Sequence, residues 1–94
     1  MTDFGKRVIE VILSIPYGTV LSYKEVSELA GNGAGARTVS RILSSSSDKY
    51  NLPWWRVVNH KLEISIKDPL GRATQIELLR SEGVNIINGK IKTL

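Results

Sequence analysis

Apolar residues recur at helical spacing near the start of the chain. Phe4, Val8, Val11, Ile12 and Ile15 share one face, with Lys6, Arg7 and Glu10 elsewhere. The pattern predicts a helix from Asp3 to Ile15, stopped by Pro16. Ile15-Pro16-Tyr17-Gly18 has proline and glycine where a type I turn prefers them, and Thr19-Val20-Leu21 reads as short extended chain. Ser22-Tyr23-Lys24-Glu25 is a capping box, in which serine hydroxyl and glutamate carboxylate each take a backbone amide of the other. A second helix follows from Tyr23 to about Ala30, burying Val26, Leu29 and Ala30, with Gly31 as its stop. Asn32, Gly33 and Gly35 form a tight turn. A third helix covers roughly Ala34 to Ser45. Ala36, Val39, Ile42 and Leu43 share its inner face; Arg37, Thr38, Ser40, Arg41, Ser44 and Ser45 occupy the rest.

The later pattern is shorter in period. Ser44 to Ser47 and Asp48 to Leu52 read as loop. Pro53-Trp54-Trp55-Arg56-Val57-Val58-Asn59 is expected to begin as extended chain or loop, since Pro53 biases Leu52 away from helix. His60 to Ile66 alternates, predicting an exposed strand or wing. Asp68-Pro69-Leu70-Gly71 reads as a turn. Ala73, Ile76, Glu77, Leu79 and Arg80 fit a fourth helix closed by Gly83. Val84 to Ile87 and Lys90 to Leu94 flank Asn88-Gly89, a two-residue hairpin with positive φ at both central positions. The expected architecture is mainly α with small β elements, a winged helix-turn-helix in a single domain over residues 1–94.

Composition narrows the chemistry. The 94 residues contain no cysteine and one histidine, His60, which removes disulfides, zinc-thiolate sites, thiol nucleophiles and His-rich metal sites. No long apolar run spans a membrane and no leader suggests export, so a cytoplasmic protein is expected. The net charge of +4 fits an acidic partner, nucleic acid first, or an evenly spread solubilising charge. The third helix joins short side chains to two arginines one turn apart, which suits approach to DNA and equally an ordinary solvated face. The serines lack an adjacent base or nucleophile elbow, which disfavours a serine hydrolase.

Four segments in order resemble a known family. Ile15-Pro16-Tyr17-Gly18 with Leu21-Ser22-Tyr23, then Ala36-Arg37-Thr38-Val39, then Pro53-Trp54-Trp55-Arg56-Val57-Val58-Asn59, then Glu82-Gly83-Val84 are similar to the DNA-binding domain of the O6-alkylguanine-DNA alkyltransferases. The closer resemblance is to their non-enzymatic relatives, the alkyltransferase-like proteins. Those repair enzymes carry Pro-Cys-His-Arg-Val, whose cysteine accepts the alkyl group and whose histidine helps deprotonate it. Here Trp54 and Trp55 hold those two places, and an indole offers a donor but no usable nucleophile.

The resemblance implies binding of double-stranded DNA bearing O6-alkylguanine through the minor groove, flipping of the base into a pocket, and no removal of the alkyl group. It implies that Arg37 fills the vacated place, and that Tyr23 presses on the neighbouring phosphate. Ala36, Thr38, Ser40 and Arg41 complete the DNA face; Ser40 and Ile42 stand where the family has glycine and alanine. The lesion pocket would comprise Tyr23, Trp54, Trp55, Arg56, Val57 and Lys67, with the carbonyls of Trp54 and Val57 accepting from the guanine amino group. Lys67 replaces an arginine that contacts the base face. For Trp55 a pocket wall and a loop anchor stay open, and for Lys67 a base and a phosphate contact. The implied partners are the damage-recognition proteins of nucleotide excision repair; a monomer with no metal or organic cofactor is expected. A base-acting repair enzyme and a helix-turn-helix transcription regulator are the alternatives.

Overall fold

The computed structural model describes residues 2–92. Helix α1 spans Asp3–Leu13 and is capped by the Thr2 hydroxyl, which accepts from the Gly5 amide at 3.0 Å. It ends before Ile15 because a residue preceding proline is pushed out of the helical region. Ile15 stays buried all the same. The next turn closes one residue later than the expected type I turn. Thr19 N donates to Pro16 O at 3.1 Å, with Gly18 at φ 79°. The reason lies far along the chain: the Gly18 amide donates to Glu82 Oε1 at 2.8 Å, and Ile15 O accepts from Arg56 Nη1 at 2.9 Å.

Strand β1 (Leu21–Ser22) leads into helix α2 (Tyr23–Leu29), and both hydrogen bonds of the capping box are present. Leu29 was expected inside but is 65% exposed; Ser27 is fully buried instead. Its hydroxyl accepts from the Gly35 amide at 2.8 Å and donates to Asn32 O, so the turn between α2 and α3 is held by a polar side chain that periodicity alone counts as outward.

Helix α3 spans Ala36–Tyr50, starting after Ala34 and running well past Ser45. The serines expected to open a loop continue it. Ser45 Oγ donates to Arg41 O at 2.9 Å and Ser47 Oγ to Leu43 O at 2.5 Å, returning their hydroxyls to the helix's own carbonyls. Ser46 is buried, and Asn51 at φ 52° ends the helix. Pro53 then leads not into extended chain but into a 3-10 turn, Trp54–Arg56, followed by strand β2 (Val57–Val58), which pairs in parallel with β1.

The His60 to Ile66 segment is not a free strand. Asn59 Oδ1 accepts from the Lys61 and Glu63 amides, and Leu62 sits at φ 58°. The chain then attaches to the hairpin of residues 85–92, which is the wing here in place of His60 to Ile66, through Ile64 N to Gly89 O and Ile91 N to Leu62 O, both 2.8 Å. The Asp68–Gly71 turn is the start of helix α4 (Pro69–Ser81): Asp68 caps the Gly71 amide at 2.9 Å and Pro69 occupies the first turn. Strands β3 (Asn85–Ile87) and β4 (Lys90–Lys92) form the expected hairpin, with Asn88 at φ 52° and Gly89 at φ 75°. The end of the expected last strand, Thr93 and Leu94, lies outside the described residues. The result is a winged helix-turn-helix.

Two apolar clusters meet at β2. Val8, Ile9, Ile12, Ile15, Val26, Ala30, Val39, Ile42, Leu52 and Val57 form one between the first three helices. Val58, Ile64, Leu79, Ile86 and Ile91 form the other between α4 and the wing. Consecutive strand residues point to opposite faces, so Val57 enters one core and Val58 the other. The segment carrying the two tryptophans is thus fixed at the junction.

Close packing at the turn makes one glycine indispensable. A Cβ on Gly35 would lie 2.5 Å from Phe4 Cζ and 2.8 Å from Ser27 Oγ. Gly35→Ala is expected to cost about 1–3 kcal/mol through overpacking. That corresponds to roughly 4–8 °C in Tm per kcal/mol for a domain of this size. An unchanged melting temperature would show that Phe4 swings aside freely.

Candidate nucleic-acid interface

Helix α3 presents Arg37, Ser40, Arg41 and Ser44 to solvent, while Val39 and Ile42 hold its opposite face in the core. Ala36 and Thr38 are half-buried at its start. Gly35 offers no side-chain cap, so the first-turn amides have no side chain to satisfy them. Arg37 and Arg41 make no ion pair among the described residues.

Beside this helix lies a cleft of about 330 Å³ lined by Tyr23, Leu43, Ser44, Ser45, Ser47, Asp48, Trp54 and Ile66. The volume is at the low end of the roughly 300–1,000 Å³ usual for ligand pockets. Tyr23 reaches it from the first turn of α2, where the capping box sets the backbone. Trp54 closes it from the 3-10 turn. Lys67 is exposed and follows Ile66, whose side chain lines the cleft.

The structure separates the two tryptophans. Their rings meet edge to face at 86°, with centroids 6.0 Å apart. Trp55 turns away from the cleft and packs on the second core, and its indole Nε1 donates to Glu82 Oε2 at 2.8 Å. Arg56, expected in the pocket, is instead the centre of a buried knot. Its guanidinium donates to Glu82 from Nε at 3.0 Å and from Nη2 at 2.8 Å, and from Nη1 to Ile15 O. It also lies 5.8 Å from the Tyr17 ring centroid and 5.5 Å from that of Trp55. The side chains of Arg56 and Glu82 are 14% and 5% exposed. Neither Trp55 nor Arg56 lines the cleft, because both are committed to Glu82. An internal carboxylate is a better partner for a guanidinium than a solvated surface.

Val57 is buried, and its carbonyl accepts from Gln75 Nε2 at 3.1 Å; the Trp55 carbonyl shares that donor at 3.2 Å. The Trp54 carbonyl accepts from the Val57 amide. The two carbonyls expected to read guanine therefore each carry one internal hydrogen bond and keep one lone pair. Gln75 and Glu82 are the residues that position the loop. Sequence reading passed over Gln75 and used Glu82 only as part of a motif. A glutamine on the inner face of an otherwise apolar helix was the available signal.

The Arg56 hydrogen bonds, helped by those from Gly18 and Trp55 and opposed by burial, hold the Glu82 pKa down from 4.5 to about 2. Among the described residues there is no cluster of metal-ligating side chains, and no helix long and apolar enough to cross a membrane.

A helix-turn-helix with a free basic helix face, a wing, and an aromatic cleft beside the reader helix defines a DNA-binding domain. Residues 3–84 match the family described as 6-O-methylguanine DNA methyltransferase, DNA binding domain, and the chain belongs to that family. It is 37% identical over 84 residues to the DNA base-flipping protein of Escherichia coli, covering 89% of this chain and 64% of that protein. It is 33% identical to alkyltransferase-like protein 1 of Schizosaccharomyces pombe over 92% of this chain and 81% of that one. The fold superposes on S. pombe Atl1 in complex with damaged DNA containing O6-carboxymethylguanine. The TM-score there is 0.85 at 32% identity, with 100% of this chain and 91% of that chain covered. It also matches the Mycobacterium tuberculosis O6-methylguanine methyltransferase, with a TM-score of 0.69 and 27% identity over 87% of this chain and 49% of that one.

Because the folded-state pKa of Glu82 is depressed, its contribution is fully present above pH 4.5 and drains away as pH falls toward 2. The shift corresponds to stability on the order of 3 kcal/mol. Melting curves across that window should show the loss. Glu82→Gln should lose about 3–5 kcal/mol at neutral pH by leaving Arg56 buried and unpaired, and should flatten the acid limb. An acid limb of wild-type steepness in Glu82→Gln would place the titration elsewhere.

Proposed function

We propose that this protein binds double-stranded DNA containing O6-alkylguanine, turns the damaged base into the Tyr23–Trp54 cleft, and holds it without removing the alkyl group. The observation that carries the reading is Trp54 itself: an indole closes the cleft at the place where the enzymes of the resemblance keep their acceptor cysteine, in a chain with no cysteine. Transfer needs a nucleophile with an activating base. Among the cleft-lining residues the carboxylate is Asp48, with no histidine or lysine, and the Ser45 and Ser47 hydroxyls are already bonded to helix carbonyls.

The DNA-facing roles follow from placement. Arg37, exposed at the start of α3, enters the duplex at the vacated position, and Tyr23 presses on the adjacent phosphate. The uncapped first turn beside Ala36 and Thr38 suits a phosphate; Ser40 and Arg41 continue the contact face. Lys67 sits at the cleft rim over the base. Trp55, Arg56 and Val57 act behind Trp54, as its support. The bound complex is the signal for the damage-recognition proteins of nucleotide excision repair, and the protein acts as a monomer.

Three experiments test this. Incubation with O6-methylguanine duplex should leave the protein mass unchanged and the lesion recoverable; a stable gain of one methyl with loss of the lesion would contradict the reading. Arg37→Ala should weaken lesion binding by about 1–3 kcal/mol, since unstacking a base is no longer compensated. Lys67→Ala should reduce the ratio of lesion to undamaged affinity by a few-fold to about thirty-fold. Equal losses on both duplexes would make Lys67 a phosphate contact, because phosphates carry no information about the base.

A further inference from the structure

The wall of the cleft opposite Trp54 is unusual for a site that receives an alkyl group. It is the last two turns of α3, and it offers Ser44, Ser45, Ser47 and Asp48. Ser45 and Ser47 donate their hydroxyl protons to the Arg41 and Leu43 carbonyls. What they turn outward is therefore oxygen lone pairs, which accept and do not donate. Asp48 adds a carboxylate that makes no ion pair among the described residues. Asp48 also lines an adjoining cavity of about 270 Å³ that continues past Trp54 between Ser47, Asn51, Leu52 and Trp55. A long substituent leaving the first cleft past Trp54 thus stays beside Asp48.

Helix stability gives no reason for this residue. Asp48 lies in the last turn of α3, which ends at Tyr50. The carbonyl end of a helix already carries partial negative charge, so a carboxylate is unfavourable there. The nearby lysine of the same turn, Lys49, lies over the Tyr50 ring at 5.4 Å. Lys67 follows Ile66 on the facing segment, and it is exposed. Among the cleft-lining groups, the outward lone pairs of Ser45 and Ser47, the Asp48 carboxylate and the helix terminus share one sign; the Ser44 hydroxyl can still donate, and Lys67 is the opposing charge at the rim.

We propose that Asp48 and the serine wall make this cleft select lesions by the charge and hydrogen-bonding character of the O6 substituent, accepting neutral donors and rejecting anions. The inference rests on the cleft being the lesion pocket. It separates this chain's preference from the adduct in the solved S. pombe complex, O6-carboxymethylguanine, which is an anion. Since Asp48 is exposed, screening keeps the discrimination modest, about three- to tenfold at low salt.

The test uses the whole protein and four duplexes that differ at one base: guanine, O6-methylguanine, O6-carbamoylmethylguanine and O6-carboxymethylguanine. The last two are near-isosteres, one a neutral amide donor and the other a carboxylate. Wild-type protein is expected to bind the carbamoylmethyl duplex three- to tenfold tighter than the carboxymethyl duplex. Asp48→Asn should bring that ratio toward one. General phosphate repulsion by Asp48 cancels in that ratio, and loss of a helix-terminal carboxylate does not threaten folding. Equal affinity of wild type for the two adducts, or an undiminished ratio in Asp48→Asn, would overturn the inference alone. Failure of wild type to prefer any of the three lesions over guanine would overturn the lesion-pocket reading beneath it.

Discussion

The ion pair between Arg56 and Glu82 ties the turn after α1 and the end of α4 to the 3-10 turn that carries Trp54 to the cleft. Glu82 ends α4 and collects Gly18 from the turn after α1, Trp55 and Arg56 from the 3-10 turn; Arg56 in return takes the Ile15 carbonyl. Two charges taken out of water are costly, and a buried pair is poor evidence of stability unless its remaining hydrogen-bonding capacity is met. Here Glu82 accepts from Gly18, Trp55 and Arg56 on both oxygens, and each Arg56 nitrogen donates at least once. What the knot specifies is geometry. With Trp55 and Arg56 both held by one carboxylate, the turn has no freedom left, and Trp54 must face the other way, into the cleft.

Packing does the same work from beneath. Val57 and Val58 enter different cores, so β2 cannot shift by one residue without emptying both. Gln75 pins the Trp55 and Val57 carbonyls from α4. The cleft is therefore lined by elements of both halves: Tyr23, Trp54 and the α3 serines on one side, Ile66 on the other. On the function proposed above, a base inserted there is held by a rigid frame, and orientation is all that a non-catalytic binder must supply.

Patterns with local causes were legible in the sequence. The capping box at Ser22, the hairpin at Asn88-Gly89 and the helix-turn-helix follow from neighbouring residues and appear as expected, while the wing is that hairpin rather than His60 to Ile66. The failures have non-local or polar causes. Ser45 and Ser47 read as loop because serine competes with the helix backbone, yet both bond back to it and prolong α3. Leu29 lies outside because the polar Ser27 takes the inward place to hold Gly35. The turn at Gly18 shifts because its amide belongs to Glu82, sixty-four residues away. In the site, Tyr23 and Trp54 line one cleft, while Trp55 and Arg56 face inward to Glu82. Nothing local to Trp55-Arg56 reveals that Glu82 waits for them.

The separation of the tryptophans permits a direct measurement. Trp55 is fixed against Glu82 and the second core, so a Trp55→Phe protein carries one reporter, Trp54, in the wall of the cleft. A base seated against that indole should quench its emission. Titrated at one salt concentration, a duplex with a single O6-methylguanine should quench Trp54 with saturation, and the matched guanine duplex should bind more weakly without that quench. Equal quenching by both duplexes, or saturable binding of the lesion duplex with no change at Trp54, would contradict the claim that the damaged base enters this cleft.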